Sequence, residues 1–206
     1  MQYTAFFPFV LATVASAHIQ IQYPPPRGPF IASQEPSFCD GFTSATSNRT
    51  LFPLNDGVIN FKTSHPEWTI GFIVSTNPDA TSFSDFNTSS GYQMAVPFVK
   101  HTGGGGQFCL PISLATSGVS GIQEGANVTI QAVFDGGDGS LYQCADLTLS
   151  ANASIPGNVT SNCTDPSATG TASAPSATHT GDVGKQNIVV SGPVTALLLG
   201  LVASYF

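Results

Sequence analysis

Charged side chains are scarce in this chain of 206 residues, which carries 5 Lys+Arg against 12 Asp+Glu and has a formal net charge of −7. A nucleic-acid-binding protein needs a basic face, and five dispersed cations do not form one, so nucleic acid is excluded as a partner. Tryptophan is rarer still, because Trp68 is the only one, and a broad aromatic platform for carbohydrate is not evident. Low charge with 21 Gly and 15 Pro favours an extracellular β-protein.

Cysteines are also few, and their number is even: Cys39, Cys109, Cys144 and Cys163. In an oxidising compartment four cysteines form two disulfides, and the sequence leaves three pairings open. We therefore expect a secreted domain that is held together by two disulfide bonds.

Helical periodicity is missing between residues 18 and 163, where short apolar stretches recur between turn-rich spacers. Strands are predicted at 18–23, 58–61, 67–75, 92–98, 106–112, 127–134 and 141–150. The residues expected to face inward near the end of this region are Val128, Ile130 and Ala132 in one strand and Cys144, Leu147 and Leu149 in the next. Many short strands between Gly-, Pro-, Asn- and Asp-rich turns indicate an all-β fold, an antiparallel β-sandwich over residues 18–163.

The first 17 residues have the pattern of a secretory signal peptide. A short apolar run at 6–14 is followed by Ala15, Ser16 and Ala17, and small residues at these positions fit a signal peptidase site. The apolar run is too short to span a bilayer. We expect cleavage after Ala17, so that the mature chain begins at His18.

The C-terminal residues have the pattern of a GPI-anchor signal, with small residues, a polar spacer and a terminal apolar tail. We predict that 182–206 is a removed propeptide and that the anchor is attached at Gly181 or Asp182. A transmembrane helix is the alternative, which the absence of basic residues after the tail disfavours. Residues 164–181 are rich in Ser, Thr and Pro and cannot bury apolar surface, so a disordered stalk is predicted.

Six N-x-S/T sequons lie upstream of the stalk, and none has proline at its middle position: Asn48, Asn87, Asn127, Asn152, Asn158 and Asn162. Their density fits a glycoprotein of the secretory pathway. Together with the anchor signal, the sequons place the protein on the outer face of the plasma membrane, with the cell wall as a further location.

Cleavage after Ala17 gives the mature chain a histidine as its first residue. The α-amine and the imidazole Nδ1 of His18 chelate one metal ion in a six-membered ring, and the amine is a usable ligand because its unperturbed pKa is only about 7.7–8.0. A second imidazole would complete a nitrogen-rich tetragonal set, which suits Cu(II). We therefore predict one Cu(II) ion per chain, bound through His18.

Three other histidines compete to supply the third nitrogen. His65 precedes a predicted strand, and Pro66 keeps it out of any helix interior and on a loop. His101 stands before the tetraglycine run 103–106, and His179 lies in the stalk, which cannot hold it in place. A lone histidine is usually an ordinary surface or hydrogen-bonded residue, but two nitrogens at His18 need a third. His65 is the preferred donor and His101 the second choice.

The mature start HIQIQYPPPRG, the segment SHPEW and the segment LYQCADLTL, set between a signal peptide and a GPI tail, resemble the fungal copper-acquisition-factor family. These extracellular proteins are related to lytic polysaccharide monooxygenases. The resemblance covers the whole chain and implies an immunoglobulin- or fibronectin-like β-sandwich, with a histidine brace built by His18 and His65. It also implies a role in copper homeostasis rather than polysaccharide oxidation, and a carboxylate that completes the copper site.

Three aspartates between residues 134 and 146 are candidates for that carboxylate. Asp138 lies in a glycine-flanked loop that leads into the last strand, and it is preferred because a loop side chain can reach the end of the sandwich. Asp135 shares the loop, and both could instead serve turn formation. Asp146 lies inside the strand, where an unpaired charge would be costly, so it needs copper or Arg27 as a partner.

Two functions from different classes remain open. The first is a non-catalytic, monomeric copper carrier that passes the metal to a copper transporter or metalloreductase. The second is a copper-dependent lytic polysaccharide monooxygenase that acts on cell-wall glycan. An anionic oxygen ligand would stabilise Cu(II) and occupy a position where oxygen could bind, and this favours the carrier. A structural wall protein without a metal is a third reading.

Overall fold

A computed structural model describes residues 18–161 and 163–164 of the chain. The predicted signal peptide 1–17, the sequon Asn162, almost all of the predicted stalk and the predicted anchor residues Gly181 and Asp182 lie outside this part. Its regular structure consists of two short 3-10 turns and ten strands, which are β1 (Ile19–Tyr23), β2 (Thr50–Pro53), β3 (Gly57–Thr63), β4 (Trp68–Ser75), β5 (Asn87–Thr88), β6 (Gly91–Tyr92), β7 (Met94–His101), β8 (Gly106–Ile112), β9 (Asn127–Asp135) and β10 (Ser140–Ser150). No helix within this part is long and apolar enough to cross a membrane.

Eight of the strands form two sheets that pack face to face, and β5 and β6 form a separate two-stranded sheet. The smaller sheet has the order β1-β3-β8, and the larger has the order β2-β10-β9-β4-β7. Alternate residues of both sheets meet in one apolar core, and the predicted inner residues Val128, Ile130 and Ala132 are all fully buried in it. The all-β sandwich expected from the sequence is confirmed.

The outer face of the larger sheet carries a second apolar cluster, which includes Cys144 and Tyr142 and is covered by the 3-10 turns Phe38–Gly41 and Phe83–Phe86. Leu147 and Leu149 belong to the inner core instead. The prediction that Cys144 faces the same way as these leucines was therefore wrong. The side-chain period of a strand is two residues, so Cys144 and Leu147, three apart, lie on opposite faces.

Two further details differ from the predicted strands. The short strand β2 was not predicted, and it pairs in parallel with β10, from Leu147 opposite Thr50 to Ser150 opposite Pro53. A proline is tolerated there because β2 is the edge of the sheet. The predicted strand 92–98 is divided at Gln93, whose backbone bonds Phe86 and Val74 rather than continuing a ladder.

Both expected disulfides are present, as Cys39–Cys144 and Cys109–Cys163. The first ties the 3-10 turn Phe38–Gly41 to β10, and the second ties the end of the described chain to β8. The residue after Cys163 is also bonded to β8, because the backbone of Thr164 forms a parallel bridge with Phe108. The last described residues are thus fastened to the smaller sheet by covalent and hydrogen bonds.

A buried ion pair joins the N-terminal segment to β10. Arg27 donates to both carboxylate oxygens of Asp146, at 2.9 and 3.0 Å, and the hydroxyl of Thr129 and the backbone N–H of Thr46 donate to the same carboxylate. Burial raises the pKa of Asp146, but the hydrogen bonds from these groups, with that of Arg27 the strongest, hold it below its usual value. Arg27 is therefore the partner that a buried Asp146 requires.

We predict that Asp146→Asn destabilises the fold by about 3–5 kcal/mol, because the change leaves the Arg27 guanidinium buried without its counter-charge. Urea unfolding at pH 7 measures this, with Asp56→Asn as the exposed control. A carboxyl whose folded pKa is lowered stabilises the fold above its unfolded pKa of about 3.9, and this is lost as pH falls through the folded value. The Asp146→Asn variant and the unmodified protein should therefore converge in stability as pH falls through the folded pKa of Asp146, which lies below about 3.9, and a pH-independent difference would contradict the assignment.

Candidate metal centre

Strand register brings His18 and His65 to the same end of the sandwich. β1 begins at Ile19, which is opposite Thr63, the last residue of β3. His18 therefore precedes the first paired residue of β1, and His65 lies in the turn that follows β3. Because antiparallel partners place the start of one strand beside the end of the other, both histidines lie at one end of the sandwich. This end, where β1 starts and β3 ends, is the pole.

The larger sheet ends at the same pole. β4 starts directly after the turn that contains His65, and its first residues Trp68 and Thr69 are opposite His101 and Asp135. His101 ends β7, and Asp135 ends β9. The pole thus gathers the three histidines of residues 18–161 and 163–164 and the loop that begins at Asp135.

The ring of His18 lies against the segment between β1 and β2. Its Nδ1 contacts the carboxylate oxygen Oε2 of Glu35. The other carboxylate oxygen, Oε1, accepts a hydrogen bond of 2.9 Å from the backbone N–H of Ile19. Phe30 packs edge-on against the imidazole, with a centroid distance of 5.1 Å. The ring and the main chain at the start of β1 are therefore both held by the same glutamate.

Glu35 itself is held rigidly and is only 1% exposed. Its carbonyl oxygen accepts a 2.7 Å hydrogen bond from the backbone N–H of Tyr142 on β10. Burial raises the pKa of Glu35, the hydrogen bonds from His18 and Ile19 oppose the rise, and the nearby charge of Asp40 adds to it. Asp40 is a second buried carboxyl, whose pKa burial likewise raises while hydrogen bonds from Ile31 and Gln143 oppose the rise.

His65 is enclosed by the chain around it. Its backbone N–H donates to the Thr63 hydroxyl at 3.2 Å, and its ring lies 5.7 Å from that of Phe134. Gly136 packs directly on the imidazole, since a Cβ there would come within 2.4 Å of it. The ring nitrogen Nε2 is buried and has no hydrogen-bond partner. An unpartnered buried nitrogen is costly, and the lone pair of a neutral imidazole nitrogen can bind a metal ion.

His101 has a different environment. Its ring stacks on Trp68 at 4.8 Å and meets Phe108 edge-on at 4.8 Å. Its Nδ1 is also buried without a partner. Trp68 is 2% exposed, so the indole belongs to the core rather than to a binding surface.

The three candidate aspartates occupy two separate regions. Asp135 ends β9, next to Gly136 and therefore next to His65, and its Oδ1 accepts a 2.7 Å hydrogen bond from the N–H of Gly137. Asp138 is exposed in the same loop. Asp146 lies six residues beyond the start of β10, about 20 Å along the strand, and is engaged with Arg27.

The described side chains do not form a ready-made cluster of three His, Cys, Asp or Glu ligands. They do fit a metal in one respect, which is the orphaned Nε2 of His65 at the same end of the sandwich as His18. Nitrogen donors of this type suit copper and zinc. A solvent-open groove of about 400 Å³ adjoins His18, lined by His18, Gln20, Lys62, Thr63, Ser64, Gly106 and Gln107.

Comparison with known proteins identifies the family. The model of the copper acquisition factor BIM1-like domain matches residues 16–168. The chain belongs to the BIM1-like copper acquisition factor family. Two proteins named copper acquisition factor BIM1, from two varieties of Cryptococcus neoformans, are 39% and 38% identical to it over 158 residues, which cover 75% and 76% of this chain and 69% and 70% of theirs.

An uncharacterised protein of Aspergillus fumigatus is 29% identical over 158 residues, covering 74% of this chain and 62% of its own length. Among solved structures, the periplasmic chaperone SfaE aligns with 57% of this chain and 60% of its own, at 15% identity and a TM-score of 0.30. Membership in the BIM1-like family supports a role in copper acquisition, and copper is the metal concerned.

Two residues at this pole were not anticipated from the sequence: Phe30 and Glu35. They contact His18 from 12 and 17 positions further along the chain, respectively. Glu35 lies in a segment without regular pattern, QEPS, and no periodicity marks it as buried. The only signal was its acidic character in a chain with few charges, which does not distinguish it from the exposed Glu67.

Proposed function

We propose that this protein binds one Cu(II) ion through a histidine brace and serves as a non-catalytic carrier in copper acquisition. The observation that carries the proposal is the orphaned, buried Nε2 of His65 at the pole where the mature chain begins. Membership in the BIM1-like family supports copper as the cargo. The recipient we propose is a copper transporter or metalloreductase of the same membrane.

Processing prepares the first two ligands. Before cleavage after Ala17, the nitrogen of His18 is an amide and cannot bind a metal without losing its proton. After cleavage it is an amine with an unperturbed pKa of about 7.7–8.0, and it can chelate together with Nδ1. His65 supplies the third nitrogen from a turn that Gly136 and Phe134 hold in place. A nitrogen-rich set of this kind suits Cu(II).

The carboxylate of the proposed site comes from the loop that begins at Asp135. Asp138 is our first choice because it is exposed in a loop next to His65, and its side chain can move. Asp135 is the second choice, since its Oδ1 already accepts the N–H of Gly137. Asp146 is not a ligand in this proposal, because copper binding to its carboxylate would leave the buried guanidinium of Arg27 without a counter-charge.

We also propose that the site does not oxidise polysaccharide. An anionic oxygen ligand stabilises Cu(II) against reduction and occupies a coordination position. The burial of Trp68 in the core supports this view, since its ring is unavailable for stacking on a sugar. Tyr92 is the aromatic among the exposed large apolar residues of the described chain, and it lies in β6, away from this pole.

We further propose that the protein is N-glycosylated and held on the outer face of the plasma membrane by a GPI anchor at Gly181 or Asp182. The sequons at Asn48, Asn87, Asn127, Asn152 and Asn158 are all exposed, which supports their modification. A compact domain on the membrane surface would meet environmental copper before the recipient does.

The first prediction concerns processing. A form that retains one extra residue before His18 should fold normally and lose tight Cu(II) binding, because its nitrogen at position 18 is an amide. Titration calorimetry with Cu(II) measures the difference, which we expect to exceed about 100-fold, since the α-amine is one of three nitrogen ligands. Equal affinities for the two forms would contradict the brace.

In the same titration, one histidine variant tests the proposed third nitrogen ligand and a second variant is its matched control. His65→Ala removes the orphaned nitrogen and should weaken binding by a similar factor. His101→Ala removes an imidazole that stacks on Trp68 at the same pole, and it should leave copper affinity within about threefold while lowering stability. Loss of binding in both variants with no difference between them would count against His65 as the specific ligand.

A second prediction separates the carrier from a monooxygenase. The copper-loaded, processed protein is incubated with ascorbate or peroxide on chitin and on β-glucan. We expect oxidised sugar ends at the level of a copper-free control, because a Cu(II)-stabilising carboxylate disfavours the reduced state that oxygen activation needs. Copper-dependent oxidised products above that control would favour the enzyme.

A third prediction concerns location. Phosphatidylinositol-specific phospholipase should release the protein from intact cells, because a GPI anchor is attached through that lipid. A mass spectrum of the released protein should show His18 as the first residue, glycans on the exposed sequons and, at Gly181 or Asp182, the anchor glycan ending in inositol phosphate, since the phospholipase leaves the diacylglycerol in the membrane. Recovery of the full C-terminal tail through 206 would contradict anchoring by this route.

A further inference from the structure

The pole contains one buried acid that the proposed ligand set does not use. Glu35 lies in the segment between β1 and β2, is 1% exposed, and directs its two carboxylate oxygens at the first two residues of the mature chain. A buried carboxyl is costly unless it is hydrogen-bonded. The contacts with His18 and Ile19 meet that need in this structure.

The two oxygens do different things. Oε1 accepts the backbone N–H of Ile19 at 2.9 Å, and this bond fixes the peptide that follows the α-carbon of His18. Oε2 contacts Nδ1 of the ring. Since Nδ1 cannot hold a metal ion and a hydrogen bond at once, the ring contact belongs to the metal-free protein. The bond to Ile19 is compatible with both the metal-free and the metal-bound protein.

Ile19 is the residue at which the chain enters the smaller sheet. It is the first residue of β1, its side chain is fully buried, and it faces Thr63 of β3. A chain end frays unless it is tied down. Two further hydrogen bonds join this segment to β10. The backbone N–H of Ile21 donates to the side-chain oxygen of Gln143 at 2.8 Å, and the backbone N–H of Arg27 donates to the carbonyl of Cys144 at 2.6 Å. Of these three hydrogen bonds, the one from Ile19 to Glu35 lies nearest to the nitrogen of His18.

We propose that Glu35 is a positioning residue for the N-terminal copper ligand: its Oε1 holds the main chain at Ile19, so that the α-amine and the ring of His18 are presented at a fixed place beside His65. The inference rests on the proposed function, because it assigns Glu35 a part in binding copper. Outer groups that orient metal ligands typically contribute about 10–100-fold to metal affinity.

The test uses the processed protein with Glu35→Ala and Glu35→Gln, and Cu(II) as the probe. Glu35→Ala removes the acceptor, so the Ile19 amide of the metal-free protein should exchange its hydrogen at least about tenfold faster and copper should bind about 10–100-fold more weakly. Glu35→Gln keeps an oxygen acceptor of the same reach, and it should restore copper affinity to within about threefold of the unmodified protein. Glu67→Ala, an exposed change at the same pole, is the control and should alter neither quantity.

Unchanged copper affinity in Glu35→Ala, or equal losses in folded Ala and Gln variants, would overturn the proposal. If Glu35→Ala does not fold, Glu35→Asp replaces it, because a carboxylate one methylene shorter cannot reach Ile19 from the same backbone. Tighter binding by Gln than by Asp, by about tenfold or more, then supports the proposal, and equal binding overturns it. If the unmodified protein takes up no copper, the proposed function fails. Exchange of the Ile19 amide then still decides whether Glu35 holds the chain end.

Discussion

The arrangement of the pole depends on the pairing between β1 and β3. Ile19 is opposite Thr63 and Ile21 is opposite Phe61, and both isoleucines are buried in the core. A shift of one residue would turn both isoleucines toward solvent, which the buried apolar area forbids. The core therefore determines where the residue before β1 lies. This residue is His18, and it stands at the turn that contains His65.

Buried polar and covalent contacts fix the position of the segment after β1, which the pairing of the two isoleucines does not determine. The segment that follows β1 wraps around the larger sheet and is attached to β10 by the Arg27–Asp146 ion pair and the Cys39–Cys144 disulfide. Such buried groups specify one arrangement because each is expensive when its partner is absent. Glu35 is part of the same segment, so the structure that holds Arg27 in place also carries the carboxylate that meets His18.

Much of the fold was accessible to sequence reasoning because its strands alternate clearly. The pattern Val128, Ile130, Ala132 gave the inner face of β9 correctly, and the bounds of β8 were predicted as they stand. The strand β2 escaped prediction since four residues ending in proline carry no alternation, and its partner in the sheet is distant in sequence. The error at Cys144 arose from treating a buried residue as an inward one, although this sheet is covered on both faces.

For the site, the sequence supplied the histidines but not their surroundings. The predicted chain end at His18 and the loop position of His65 follow from local patterns, whereas the contact between Glu35 and His18 joins residues 17 positions apart. Asp146 illustrates the converse, since the cost of a buried charge predicted that it needs a partner, and Arg27 is that partner. Burial costs can be inferred from sequence, but the identity of a distant hydrogen-bond acceptor requires the folded chain.

The bond between Cys109 and Cys163 determines where the chain can be cut without opening the sandwich. Because Cys163 is linked covalently to β8 and Thr164 is bonded beside it, cleavage after Thr164 removes no residue that the two sheets need. A fragment that ends there would keep both cross-links, the Arg27–Asp146 pair and the entire pole.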